Sequence, residues 1–176
     1  SMLLGNCQNA EKTADVTTEE PATEVAPAPA IKTDNQLIIN DDSVLNLKPG
    51  MLISDADNLQ KEVMQTGEGD FDIYPLTDEN GNRLGYILPD PRDEKKIGSI
   101  HITSDKLTTP AGIRVGDSFS KLEKVMGEVV VHGSEIEGRT MAQFGNMVFR
   151  LDTQNYTYEV DKSKIKPATK ILEISI

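Results

Sequence analysis

The residues of this chain with chemistry to offer are two histidines, one cysteine, several close-set carboxylates and a few serines at turn-helix junctions. His101 and His132 stand 31 positions apart, and neither has a cysteine or a second histidine at the spacing of a metal site. His101 alternates with Ile100 and Ile102, so on a strand it points away from the core, and both histidines read as solvent-facing strand residues. Gly116-Asp117-Ser118-Phe119-Ser120 lacks the closing glycine of a nucleophile elbow, and a helix-capping Ser118 accounts for it. Carboxylates pair at Asp41-Asp42, Asp55/Asp57, Asp70/Asp72 and Asp78-Glu79, in turns and helix starts, where Asp serves local hydrogen bonding. Asp78-Glu79-Asn80-Gly81-Asn82 lacks the bidentate glutamate of a calcium loop and reads as a hairpin turn. No catalytic set, metal site or cofactor motif follows from these residues, so no enzyme and no cofactor is expected.

Contact chemistry has a few candidates. Arg114, in the Gly112–Gly116 turn, is placed to meet an acidic group of a partner or a neighbouring side chain. Tyr156 and Tyr158, with Arg150 upstream, have the composition of an interface patch, and Tyr156–Val160 reads equally as one more strand.

These residues must be positioned by a chain of 176 residues, 37% hydrophobic, without Trp and with four Phe and four Tyr, so the core is expected to be aliphatic. The formal charge of -11 excludes counterion-displacing attachment to nucleic acid and a polybasic hold on anionic lipid. From residue 36 the chain reads as strand, turn, helix and hairpin, twice. Gln36–Asn40 is a strand and Pro49-Gly50 a turn. A helix follows from a Ser54 cap, with Ala56, Leu59 and Val63 on one face and Gly67 as its stop. Phe71 and Ile73 lie on a strand, Asn80-Gly81 closes a hairpin, and Leu84–Leu88 returns. In the second half Asp117 or Ser118 caps a helix carrying Phe119, Leu122, Val125 and Met126 and ending at Gly127. Glu128–His132, Met147–Leu151 and Lys170–Ile176 are strands. Leu84, Tyr86 and Leu88 align with Met147, Phe149 and Leu151, and Lys96–Ile102 with Lys170–Ile176. The expectation is a single α+β domain over 36–176: an antiparallel sheet of about six to eight strands with two short helices, from an internal duplication with halves at about 36–98 and 99–176.

The start of the chain has another character. Ser1-Met2-Leu3-Leu4-Gly5-Asn6-Cys7-Gln8 resembles the end of a bacterial lipoprotein signal, with Leu4 and Gly5 at the third and second positions before the cysteine. Residues 1–7 are read as a signal remnant, with Cys7 as the lipid acceptor. Residues 8–35 hold no aromatic residue, are rich in Pro, Ala, Thr and Glu, and carry six acids against two lysines. Such a segment buries too little apolar surface to offset its ordering entropy, so a disordered acidic tether is expected. It would hold the domain about 30 Å from its anchor. Gln8 after the cysteine, where Asp would suggest inner-membrane retention, directs the analogy to the outer membrane, facing the periplasm.

The runs Ile97-Gly98-Ser99-Ile100-His101-Ile102-Thr103-Ser104-Asp105 and Thr109–Leu122 resemble the core of the RpoE-regulated lipoproteins of Gram-negative bacteria. The most telling part is Gly-Ile-x-Val-Gly-x-x-Phe-Ser-x-Leu at Gly112–Leu122, and the similarity extends more weakly from about residue 38 to the end. The resemblance implies an envelope lipoprotein under stress control, with a domain of unknown function and no catalytic residue to carry over. The functional expectation is a non-catalytic module that is held to the membrane by its N-terminal lipid and binds an envelope protein or cell-wall component. The alternatives are a small-ligand or ion-binding lipoprotein, and a hydrolase of envelope material, which requires a Ser and a His within hydrogen-bond reach or two convergent carboxylates.

Overall fold

A computed structural model describes residues 37–176. Cys7, expected as the lipid acceptor, and the tether expected over 8–35 lie outside the described residues. Eight strands form one antiparallel sheet: β1 (Glu62–Thr66), β2 (Gly69–Thr77), β3 (Arg83–Asp90), β4 (Asp93–Ile102), β5 (Val130–Gly133), β6 (Arg139–Phe144), β7 (Met147–Gln154) and β8 (Ile171–Ser175). Their order across the sheet is β1-β2-β3-β4-β8-β7-β6-β5. Two sequential four-strand meanders therefore meet through their last strands, with His101 opposite Ser175 and Ile102 opposite Ile174.

The expected α+β class with two helices is corrected: among the described residues one α-helix, α1 (Phe119–Met126), accompanies a mostly β fold. Where the first helix was expected, Ile53–Asp55 makes a single 3-10 turn and the chain then enters β1. Asn58 takes a positive φ of 62°, which ends any helical path. Gly67, read as a helix stop, belongs to the turn of the β1–β2 hairpin, in which Met64 faces Phe71. Ala56, Leu59 and Val63 do recur at helical spacing. A helix that short is stable only through packing of its apolar face, and Val63 is exposed, so pairing with β2 decides the outcome. The strand-helix-hairpin unit thus does not recur in the two halves. Of the strand expected over Gln36–Asn40, the described residues 37–40 form no regular strand: Ile38 and Ile39 make isolated bridges to Thr108 and Val44. Tyr156–Val160 contributes one bridge, between Glu159 and His132.

The second helix forms where its capping residues place it. Ser118 Oγ accepts from the Lys121 N–H at 3.2 Å, and Gly127, at φ 81°, ends the helix by donating to the Glu123 carbonyl. Phe119 and Leu122 are buried with Ile100, Ile102, Phe149 and Ile174, so α1 covers one face of the sheet. Ile39, Val44, Leu47 and Ile53 add the N-terminal segment to the same core. Alternation along the strands then dictates what the opposite face presents: Tyr86, Ser99, His101, Glu173 and Arg150, each one residue away from a core position.

Ile174 is fully buried at the seam between the meanders. Ile174→Ala should lower stability in urea by about 2–5 kcal/mol, whereas Val63→Ala, on exposed β1, should change it by no more than about 0.5 kcal/mol.

Candidate functional site

The face turned away from the core is not a plain solvent face. Arg139, at the start of β6, holds Glu137 at 2.7 Å and reaches Glu68, in the β1–β2 turn, at 3.7 Å. Opposite margins of the sheet are thereby brought together, and a cleft of about 470 Å³ lies between them. That volume falls in the roughly 300–1,000 Å³ range of small-molecule sites. Its lining mixes apolar side chains, Met64, Phe71, Leu88 and Met141, with the polar Tyr86, His101, Arg150 and Glu173. The Glu68 carboxyl is held above the usual range by its hydrogen bond to the Glu137 carboxyl and by burial, against the pull of Arg139.

The register of the sheet builds the polar part of the lining. Tyr86, His101, Ser175 and Val148 form one row across β3, β4, β8 and β7. His132, Met141, Arg150 and Glu173 form a second row across β5, β6, β7 and β8. Glu173 lies two residues before Ser175 on β8, so its carboxylate falls diagonally beside His101. His101 Nδ1 is 2.9 Å from Glu173 Oε1, Tyr86 Oη donates to Glu173 Oε2 at 2.9 Å, and Ser99 Oγ is 2.7 Å from His101 Nε2. The Tyr86 ring lies parallel to the imidazole with centroids 4.8 Å apart. Glu173 is 8% exposed, and every buried side-chain polar atom among the described residues has a partner.

Charge and burial act against each other here. Burial alone would raise the Glu173 pKa, but the hydrogen bond and charge of His101, the Tyr86 hydroxyl and Arg150 together hold it below the ordinary glutamate value. Burial and the Glu173 charge push the Tyr86 phenol above its usual range. An ionised carboxylate only accepts, so Nδ1 of His101 carries a proton, and in the neutral ring Nε2 is left to accept from Ser99. Arg150 is less engaged. Its carboxylate contact among the described residues is Glu173 Oε2 at 3.9 Å, too long for a hydrogen bond, and its side chain is 34% exposed to the cleft.

The contact residues expected from sequence are not brought together. Arg150 enters the cleft. Arg114 is exposed in the turn before α1, its backbone N–H bonded to Asp117 Oδ2. Tyr158 is 60% exposed and stacks on His132 with centroids 4.6 Å apart, while Tyr156 is 57% exposed beside Gly138. His101 is not a solvent-facing residue: its side chain is 16% exposed and engaged on both nitrogens. Ser99, Tyr86 and Glu173 carry no local sequence signal beyond being polar members of strands with aliphatic neighbours. Asp78 behaves as a turn residue, accepting from the Asn80 and Asn82 N–H groups and pairing with Lys106 Nζ at 2.6 Å.

Among solved structures, the fold is similar to that of the uncharacterized protein yfeY from Escherichia coli, with a TM-score of 0.53 at 11% sequence identity. The match covers 78% of this chain and 97% of that one. No family model matches the sequence, and no curated protein matches it.

The depressed Glu173 pKa means that this group contributes stability above its ordinary value and loses it as pH falls through the lowered folded value. Thermal melts should therefore show stability declining as pH falls below the ordinary glutamate range, and Glu173→Gln should flatten part of that slope. An unchanged slope in the variant would mean that the carboxylate is not held ionised by its neighbours.

Proposed function

We propose that this chain is an envelope lipoprotein, related to the RpoE-regulated lipoproteins, whose domain over 36–176 binds an amphipathic acyl-type ligand in the cleft. Cys7 anchors it to the outer membrane, the acidic segment after it is the tether, and the domain faces the periplasm. The observation that carries the binding reading is the mixed apolar and polar lining of the cleft. Met64, Phe71, Leu88 and Met141 offer apolar contact, and the Arg150 guanidinium offers donors beside Met141. A ligand that fits has an apolar chain and a head with an acceptor oxygen, such as a carboxylate, ester or amide. The three glutamates that share the cleft with Arg139 and Arg150 favour a neutral or singly charged head over a polyanion. The N-terminal resemblance to a lipoprotein signal and the composition of residues 8–35 support the envelope location.

Two experiments bear on this. Calorimetric titration with a monoacylglycerol below its micellar concentration should give saturable binding, which Arg150→Ala weakens about tenfold or more, as expected when a charge-assisted hydrogen bond is lost. Binding that is absent, or indifferent to Arg150→Ala, would remove the cleft reading. Metabolic labelling with a palmitate analogue in a Gram-negative host should tag the cell-made protein, and Cys7→Ala should abolish the tag; equal labelling of both would end the anchor assignment.

A further inference from the structure

We infer that Ser99, His101 and Glu173 constitute an acyl-transfer site whose substrate is a carboxylic ester with an apolar acyl group. The inference rests on the cleft being a ligand site and adds a reaction to it. Ser99 Oγ lies 2.7 Å from His101 Nε2, and His101 Nδ1 lies 2.9 Å from Glu173 Oε1, so a hydroxyl, an imidazole and a carboxylate are joined in series. That series is the arrangement in which a base takes the proton of a serine while a carboxylate fixes its tautomer and stabilises the imidazolium.

Three further features favour chemistry over simple saturation of polar groups. The imidazole is fixed on its face by the parallel Tyr86 ring and at its edge by Glu173, so Nε2 is aimed at one place. The second oxygen of Glu173 is held by the Tyr86 hydroxyl, which keeps the first on Nδ1. Ser99 is also reachable. It borders a hollow of about 530 Å³ whose lining includes Lys48, Pro49, Asn146 and Ile176. Its cross-strand partner Leu88 and its hydrogen-bond partner His101 line the cleft itself. A substrate with its acyl chain in the cleft would therefore place its ester at the seam between the two spaces.

The reaction balances without any group beyond ester and water. Ser99 Oγ bonds to the carbonyl carbon as its proton passes to His101 Nε2. The ester C–O bond then breaks, and His101 returns that proton to the departing alcohol, leaving an acyl-serine. Water, deprotonated by Nε2, attacks the acyl-serine, the serine oxygen leaves with the proton, and the carboxylic acid is released.

The test uses the full chain and a fluorophosphonate bearing an alkyl chain, which reacts with activated serines. Intact mass should show one adduct, and peptide mapping should place it on Ser99. Ser99→Ala should abolish it. His101→Ala should slow it about 100-fold or more, the usual scale for loss of a general base. Peptide mapping of the wild-type chain decides the question even where a variant folds poorly. No adduct under conditions that label a known serine hydrolase, or an adduct on another residue, overturns the inference. If calorimetry still shows the monoacylglycerol bound in that case, the acyl-transfer site alone is lost and the binding reading stands. Loss of both results removes the cleft as a site.

Discussion

Pairing between β4 and β8 is the constraint on which the rest of the molecule depends. The two strands are far apart in sequence and share a short ladder, His101 with Ser175 and Ile102 with Ile174, extended by reciprocal bonds between Ile100 and Ile176. Through it two four-strand meanders become one sheet. Its register has two consequences at once, because side chains alternate faces along a strand. Ile100, Ile102 and Ile174 go to the core with Phe119 and Leu122 of α1, and Ser99, His101 and Glu173 go to the other side. A slip of one residue would exchange the two sets, burying a carboxylate and an imidazole among isoleucines and exposing the isoleucines.

That exchange would be costly, which is how apolar packing comes to hold a polar network in place. Glu173 is nearly as enclosed as a core residue, and a buried carboxylate is tolerable only when its lone pairs are satisfied. Here one oxygen meets His101 and the other meets Tyr86. Removing either partner leaves a buried charge short of a hydrogen bond, a loss of about 1–3 kcal/mol or more, whereas the complete network contributes modestly to stability. The geometry therefore specifies orientation more than it adds stability, and orientation is what a ligand site or a relay requires.

Much of the local structure is legible in the sequence, where the determinants are local. Asn80-Gly81 marks the β2–β3 hairpin, with Gly81 at φ 79°, and Ser118 and Gly127 bound α1. Met147–Leu151 and Lys170–Ile176 mark β7 and β8. A first helix is expected because Ala56, Leu59 and Val63 match a helical period, while the deciding influence, the turn that pairs Met64 with Phe71, lies beyond them. The site is less legible still. The alternation around His101 turns it away from the core, but nothing near it in sequence shows that Glu173, 72 residues later, lies against its ring. In sequence Arg150 stands out by its tyrosine neighbours, yet it reaches the cleft through its row with Glu173, while Tyr156 and Tyr158 remain outside. Cross-strand neighbours are set by register, and register is a property of the whole sheet.

The protonation pattern of one imidazole tests this account most directly. Long-range proton–nitrogen NMR of the His101 ring reports which ring nitrogen holds a proton. With Glu173 against Nδ1 and Ser99 against Nε2, the account predicts a protonated Nδ1 and a bare Nε2. A ring protonated on Nε2 alone, or one exchanging freely between both forms, would contradict it.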